Sequence, residues 1–292
     1  RYTMHLLKRS ANKDADMEKV LEYVNNSFES AEEQAAFDVY DANNINPLYG
    51  FFVARAGLGA SESMRSKLAE YNDPRLSRAF ITKQGTSGKE QAPGTADNAV
   101  YAPNGTPEQG TSKYGTSLFM YSISAPTLLL SYHELKFLEA EALCRLERDA
   151  KSALKDAVVA GLLNAENSFT ISRKELGKTL INAASSITEA EAESYFDNTI
   201  EAKYTAEPLK TTMTQKYFAL WGASGEATES YNDVRRMKGL GENFIELKNP
   251  NSFPLRCPYG NSDTTTNAEV KAAYGNGQYV YSENVWWAGG SR

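Results

Sequence analysis

From Ser131 to Leu162 the chain carries two apolar stripes in succession, each at helical spacing and separated by the polar turn Glu147 to Asp149. Leu135, Leu138, Ala142 and Leu146 recur three or four residues apart, as do Ala150, Ala153, Leu154, Ala157, Val158 and Leu162. This period gathers the apolar groups of each segment on one side of a helix, and so short a turn sets the two helices side by side and antiparallel. Ser131 followed by Glu134 is an S-x-x-E capping box, in which the Ser hydroxyl accepts the amide proton three residues on and fixes the helix start. Small residues at Ala153 and Ala160 allow close helix approach of the tetratricopeptide kind, although no strict period of roughly 34 residues runs through the chain.

The same period predicts helices over 2–9 and 16–28, the latter carrying Met17, Val20, Leu21, Val24 and Phe28, besides 131–147 and 150–163. Further helical regions are expected near 187–202 and 209–221. The expected fold class is therefore mostly α: tetratricopeptide-like helical hairpins wrapped by long loops, with a few short strands. Phe137, Leu138 and Cys144 are expected to be buried, because a helix with apolar residues on two faces needs neighbours on both.

At 292 residues the chain can bury a full core, and a single domain over 1–292 is expected. Two segments break the helical pattern. Residues 82–117 hold almost no aliphatic core former and read as a long insertion loop, of a length that is usually functional or disordered. Its rings, Tyr101 and Tyr114, suit anchoring on the domain or stacking on a ligand. Residues 250–292, with Pro250, Pro254 and Pro258, read as a wrapping tail, and Trp286-Trp287 are the expected pin that offsets its ordering entropy.

Most catalytic chemistry finds no material. His5 and His133 are the only histidines, so a His-based triad or a two-His metal site has no evident partners. Cys144 and Cys257 make neither a disulfide framework nor a zinc site. The Gly57-Leu58-Gly59, Gly85 to Lys89 and Gly222 to Gly225 stretches miss the dinucleotide, phosphate-loop and nucleophile-elbow spacings. No metal or cofactor is expected. A net charge of −6 without a Lys/Arg stripe argues against a nucleic-acid partner. No apolar run approaches the ~20 residues that cross a bilayer. Arg1 to Leu7 already read as the middle of a helix, so an export signal or lipid anchor is expected to lie outside this sequence. The 17 Tyr, many in loop-like segments, favour a recognition surface. Two other readings stay open: a glycosidase using two carboxylates, for which Glu139 and Glu141 are among many candidates, and a scaffold without a small-molecule ligand.

Several motifs in fixed order resemble the SusD/RagB family of Bacteroidetes. They are Asn72-Asp73-Pro74-Arg75-Leu76, the Pro126 to Cys144 stretch, Thr214 to Gly222 followed by Glu229 to Arg236, and Asn284-Val285-Trp286-Trp287. The resemblance covers nearly all of this chain and the central and C-terminal parts of a family member. It implies a nutrient-binding outer-membrane lipoprotein of the SusD-like, starch-binding branch. Its partners would be an oligosaccharide and a SusC-like TonB-dependent transporter, with the membrane reached only through a lipid anchor absent from this sequence. The family carries its ligand residues on variable loops, so the implied candidates here are Tyr49, Tyr101 and Tyr114, with Asn46 and Asn104 as polar partners. Physically the motifs define a scaffold. Pro74 ends a helix and leaves Arg75 free to bond carbonyls, while Asp233 and Arg236 are placed for an i, i+3 pair.

Overall fold

The computed structural model describes residues 1–55, 59–84, 89–91, 101–105, 114–177, 180–181, 184–222, 225–248, 252–286 and 289–290. They form two compact units, Arg1–Glu246 and Leu247–Arg292. In the first, the helices are α1 (Tyr2–His5), α2 (Lys13–Asn25), α3 (Pro47–Arg55), α4 (Glu62–Glu70), α5 (Tyr132–Arg145), α6 (Lys151–Leu176), α7 (Glu189–Tyr195), α8 (Glu201–Ala206), α9 (Pro208–Ala219) and α10 (Ala227–Leu240). A π-helical turn, Phe196–Ile200, joins α7 to α8 without a break. The expected mostly helical class is what the chain adopts.

The α5–α6 hairpin is the centre of this unit. Phe137, Ala140, Leu154, Ala157, Val158, Leu162 and Phe169 enter the main core. Leu135, Leu138 and Ala142, on another face of α5, pack with Met4, Leu7, Met17, Val20 and Val24 in a second cluster. Phe137 and Leu138 are thus buried as expected, while Cys144 is half-buried, its Sγ 3.6 Å from Thr212 Oγ1. Leu138→Ala is expected to lose about 2 kcal/mol in a urea melt, the low end for such a truncation because the second cluster is small enough to relax. No measurable loss would make α2 a loosely attached element.

Close helix approach comes from Gly161. A Cβ there would lie 2.9 Å from Ala219 Cβ, so only glycine lets α6 and α9 pack this tightly. Ala153 is buried, whereas Ala160 faces outward and is half-exposed. The helix itself outruns its expected end near 163 and continues to Leu176.

Among the described residues, six short strands accompany the helices: β1 (Ala35–Phe37), β2 (Phe80–Gln84), β3 (Lys89–Gln91), β4 (Thr116–Ser117), β5 (Thr127–Leu130) and β6 (Leu180–Ile181). β1 and β5 pair antiparallel, and the others form a sheet in the order β4–β2–β3–β6. The expected loop 82–117 is therefore partly strand. Its residues 85–88, 92–100 and 106–113 lie outside the described ones.

The Asp-Pro-Arg motif does what its chemistry suggests, across a greater distance. Asp73 caps the turn Pro74–Ser77 by accepting from Arg75 N at 2.9 Å, and Arg75 Nη1 donates to Phe218 O at 2.8 Å near the end of α9. That carbonyl belongs to another helix and also accepts from Trp221 N at 3.3 Å.

In the second unit, α11 (Asn261–Thr266) and α12 (Ala268–Tyr274) are joined at Asn267, whose side chain accepts from Glu269 N and Val270 N. Tyr259 stacks on Tyr274 at 4.3 Å, with the Arg256 guanidinium 4.5 Å from the Tyr259 ring centre. This segment has structure of its own where an irregular tail was expected. Trp286 is 71% exposed, so it is not a buried pin, and Trp287 lies outside the described residues.

Candidate functional site

An open groove of about 600 Å³ runs along α6. Its floor follows from helix geometry. Leu154, Ala157, Val158, Leu162 and Ala165 turn inward, which leaves Asp156, Val159, Ala160, Leu163, Asn164 and Asn167 on the opposite, outward stripe. One wall is the 3-10 turn Ala31–Glu33, held to α5 because Gln34 Oε1 accepts from Tyr132 N at 3.2 Å. The first turn of α5 contributes Tyr132 and His133, and α7 contributes Glu189 and Glu193, one helical turn apart. The result is an apolar strip flanked by a phenol, carboxamides and carboxylates, an arrangement suited to a polyhydroxylated ligand that offers both ring faces and hydroxyls.

Next to Tyr132, the chain enters a buried ionic cluster. Ser131 Oγ accepts from Glu134 N at 3.1 Å, completing half of the expected capping box. Glu134 does not complete the other half. The Ser131 amide donates instead to Glu226 Oε1 at 2.7 Å, and Glu134 accepts from Arg1 Nε at 2.9 and 2.8 Å. Arg1 Nη2 also reaches Glu226 Oε1 at 2.6 Å, Lys216 Nζ is 3.9 Å from Glu134, and His133 Nε2 is 3.7 Å from Glu226 Oε2. Burial opposes the Glu134 charge, but Lys216 and Arg1 outweigh it and hold that carboxyl at about 2. Glu226 receives less of the Arg1 charge. Burial, and the hydrogen bond and charge of Glu134, push it up to about 8, and burial takes His133 down to about 4.

These shifts fix a pH dependence. Glu226 keeps its proton to about pH 8 when folded and loses it near 4.5 when unfolded, so its stabilisation is present below 4.5 and lost as pH rises to 8. His133 acts in the opposite sense between 4 and 6.5, and Glu134 acts only below 4.5. From pH 6.5 to 8 Glu226 is unopposed by either. Stability should fall over that interval by at most about 2 kcal/mol, at ~1.36 kcal/mol per pH unit, because the Arg1 α-amino group, lowered by burial, acts in the opposite sense. Urea midpoints at the two pH values would show the fall, and Glu226→Gln should abolish it. An undiminished fall in the variant would place the titrating group elsewhere.

The five residues expected to bind ligand do not line this groove. Asn46 is buried, its Nδ2 donating to Ala125 O at 2.7 Å and its Oδ1 accepting from Leu48 N at 2.8 Å. It shapes a loop turn beside a cavity of about 10 Å³, room for about one water. Tyr114 is buried as well and offers no open ring face. Both are therefore buried and away from the groove. Tyr101 is half-buried, edge-on to Phe80 at 5.2 Å with the Arg65 guanidinium 5.3 Å from its centre. Asn104, three residues on, accepts from Ser61 Oγ at 3.0 Å. Tyr49 donates its hydroxyl to Glu175 Oε1 at 3.3 Å.

The glycosidase reading meets a physical obstacle. Glu141 is fully buried and bound by Arg236 and Arg145, and Glu139 is paired with Lys136 at 2.6 Å. The close carboxyl pair Glu134 and Glu226 is likewise sealed from solvent.

No helix among the described residues is long and apolar enough to cross a membrane. Comparison with curated proteins gives no match. Among solved structures, a SusD/RagB family protein from Bacteroides thetaiotaomicron is 65% identical with a TM-score of 0.90; the alignment covers 100% of this chain and 62% of that one. A SusD homolog from Bacteroides fragilis, 20% identical with a TM-score of 0.57 over 94% of this chain and 62% of its own, shares the fold. So does an outer-membrane protein from Bacteroides vulgatus described in connection with nutrient binding, 18% identical with a TM-score of 0.63 over 98% of this chain and 64% of its own. The chain thus spans less than two thirds of the length of these relatives. A SusD-like family model, described as starch-binding and associating with the outer membrane, matches residues 1–259, and on that match the chain belongs to the SusD-like family.

Proposed function

We propose that this chain is the glycan-binding part of an outer-membrane nutrient-uptake protein, which captures oligosaccharide at the cell surface and passes it to a SusC-like TonB-dependent transporter. It acts by binding, without bond-breaking chemistry. The observation that carries this reading is the groove along α6, whose volume of about 600 Å³ falls in the range of small-molecule sites. Apolar Val159 and Leu163 would meet a sugar face, with Asn164, Asn167 and the Tyr132 hydroxyl bonding its hydroxyls. The family description, starch-binding and outer-membrane-associated, supports the ligand class and the location. Tyr101 with Asn104 is proposed as a second, accessory contact on a separate surface loop.

Calorimetric titration with a neutral α-1,4-glucan oligomer tests the reading. Tyr132→Ala is expected to weaken binding about tenfold, or ~1.4 kcal/mol, with the melting temperature nearly unchanged because the ring is half-exposed. Retention of full affinity in Tyr132→Ala and in Asn164→Ala would remove the groove from the ligand site.

A further inference from the structure

The rim of the α6 groove is electrostatically one-sided. Glu29, Glu32, Asp156, Glu189 and Glu193 face it, against the single ammonium of Lys155. That ammonium is already engaged outside the groove, donating to both Asp197 carboxylate oxygens at 2.9 and 3.0 Å. Asp156 has Lys136 only at 3.6 Å, and that lysine is committed to Glu139 at 2.6 Å. These carboxylates stand on three elements that meet only in the fold: the turn beside α2, the outward stripe of α6, and α7. At neutral pH their fields add over the apolar strip, damped beyond the ~8 Å screening length of physiological salt.

Resting on the proposed reading of this groove as a glycan site, we infer that it sorts oligosaccharides by charge: it favours chains bearing free amines, admits neutral ones and rejects those bearing carboxylates or sulfates. A protonated amine gains an ion pair with a rim carboxylate without displacing the sugar face from Val159 and Leu163. A uronate at the same depth meets like charge, and among the described residues that line the groove no cation is free to receive it. The carboxamides of Asn164 and Asn167 bond hydroxyls of any of the three classes, so the discrimination comes from the rim and the retained affinity from the floor.

The test compares three sugars of equal length, a glucosamine trimer, an N-acetylglucosamine trimer and a galacturonate trimer, titrated at about 20 mM and 500 mM NaCl. At low salt the amine form should bind about tenfold more tightly than the acetylated form, and the galacturonate about tenfold more weakly, with the spread shrinking to about twofold at high salt. Asp156→Asn combined with Glu193→Gln, both exposed positions, should compress the order. Glu22→Gln with Glu70→Gln, exposed and outside the groove lining, changes the net charge equally and should leave it intact. Galacturonate binding as tightly as the neutral trimer would overturn the inference. So would an order that both double variants alter to the same extent, since the field of the whole chain would then be responsible. If binding of all three sugars is indifferent to Tyr132→Ala, the groove reading itself fails and the charge inference falls with it. If Tyr132-dependent binding shows no charge order, only the charge inference fails.

Discussion

Glu141→Ala is expected to remove about 3 to 5 kcal/mol of unfolding free energy, because it strands a buried cation. Glu141 is fully buried in the middle of α5, accepting from Arg236 Nη2 at 2.9 Å and Arg145 Nε at 2.7 Å, with Arg236 Nη1 closing the bidentate pair. Burial opposes its charge, yet Arg236 and Arg145 hold the carboxyl well below the usual carboxylate range. Without it, Arg145 keeps Glu242 at 2.8 and 2.9 Å, but the buried Arg236 is left with Asp233, which already receives Lys216 at 2.7 Å. The loss therefore arises from uncompensated charge more than from a missing contact. Two further variants separate these causes. Glu141→Gln keeps the shape and one acceptor and should cost less. Glu141→Leu with Arg236→Met removes both charges and should recover much of the loss, since an apolar replacement of a buried pair is often neutral. A Glu141→Ala loss under 1 kcal/mol in a urea melt would mean that water reaches the cluster.

That cluster also marks the limit of what the sequence can disclose. Helix starts are local: Ser131 announces α5, and the stripe Leu135, Leu138, Ala142 announces a packing face, because a residue's neighbours three and four positions away are fixed by helix geometry. The end of α6 is not local. Beyond Leu163 come Asn164, Glu166, Asn167, Ser168 and Ser172, a polar run that reads as a helix terminus. Yet Glu166, Ser168 and Ser172 are buried, Glu166 accepting from Ile187 N at 3.0 Å and the Ser172 hydroxyl bonded to that of Ser122 at 2.8 Å. Those partners are far away in the chain. The burial of Asn46 is hidden for the same reason, since a polar loop residue and a buried amide bonded to Ala125 look alike in sequence.

The groove was illegible for a different reason. Glu29, Tyr132, Asn164 and Glu193 come from four segments, and each alone reads as an ordinary solvated position. Of the motifs that carry the family resemblance, Asp73-Pro74-Arg75 and the α10 pair Asp233–Arg236 hold the bundle together and do not point there, and Tyr132, inside the Pro126 to Cys144 stretch, reads as part of a helix start. The loop tyrosines drew notice as large rings in polar surroundings. Tyr114 is buried, and the half-buried Tyr101 ends a relay of rings that runs through Phe80, Trp221 and Phe119 to Phe169.

Phe169→Ala, at the head of that relay, is expected to cost about 3 to 5 kcal/mol. The ring is fully buried on the inner face of α6, 4.7 Å from Phe119, which in turn meets Trp221 edge-on at 5.1 Å. Deleting it removes transfer energy and leaves a void bounded by helices that Gly161 already holds at contact distance, so collapse around the gap is restricted. Phe169→Leu fills most of the space and should cost distinctly less. The outward stripe of the same helix carries Asn164 and Asn167, so the variant also separates core from site. Well below its lowered melting temperature, Phe169→Ala should bind oligosaccharide with nearly the parent affinity, because the groove floor is set by helix geometry that α5 and α9 still enforce. A loss under 1 kcal/mol would show that this ring does not close the core. A full loss of binding in the folded variant would show instead that the two faces of α6 are coupled, and that the groove depends on the packing beneath it.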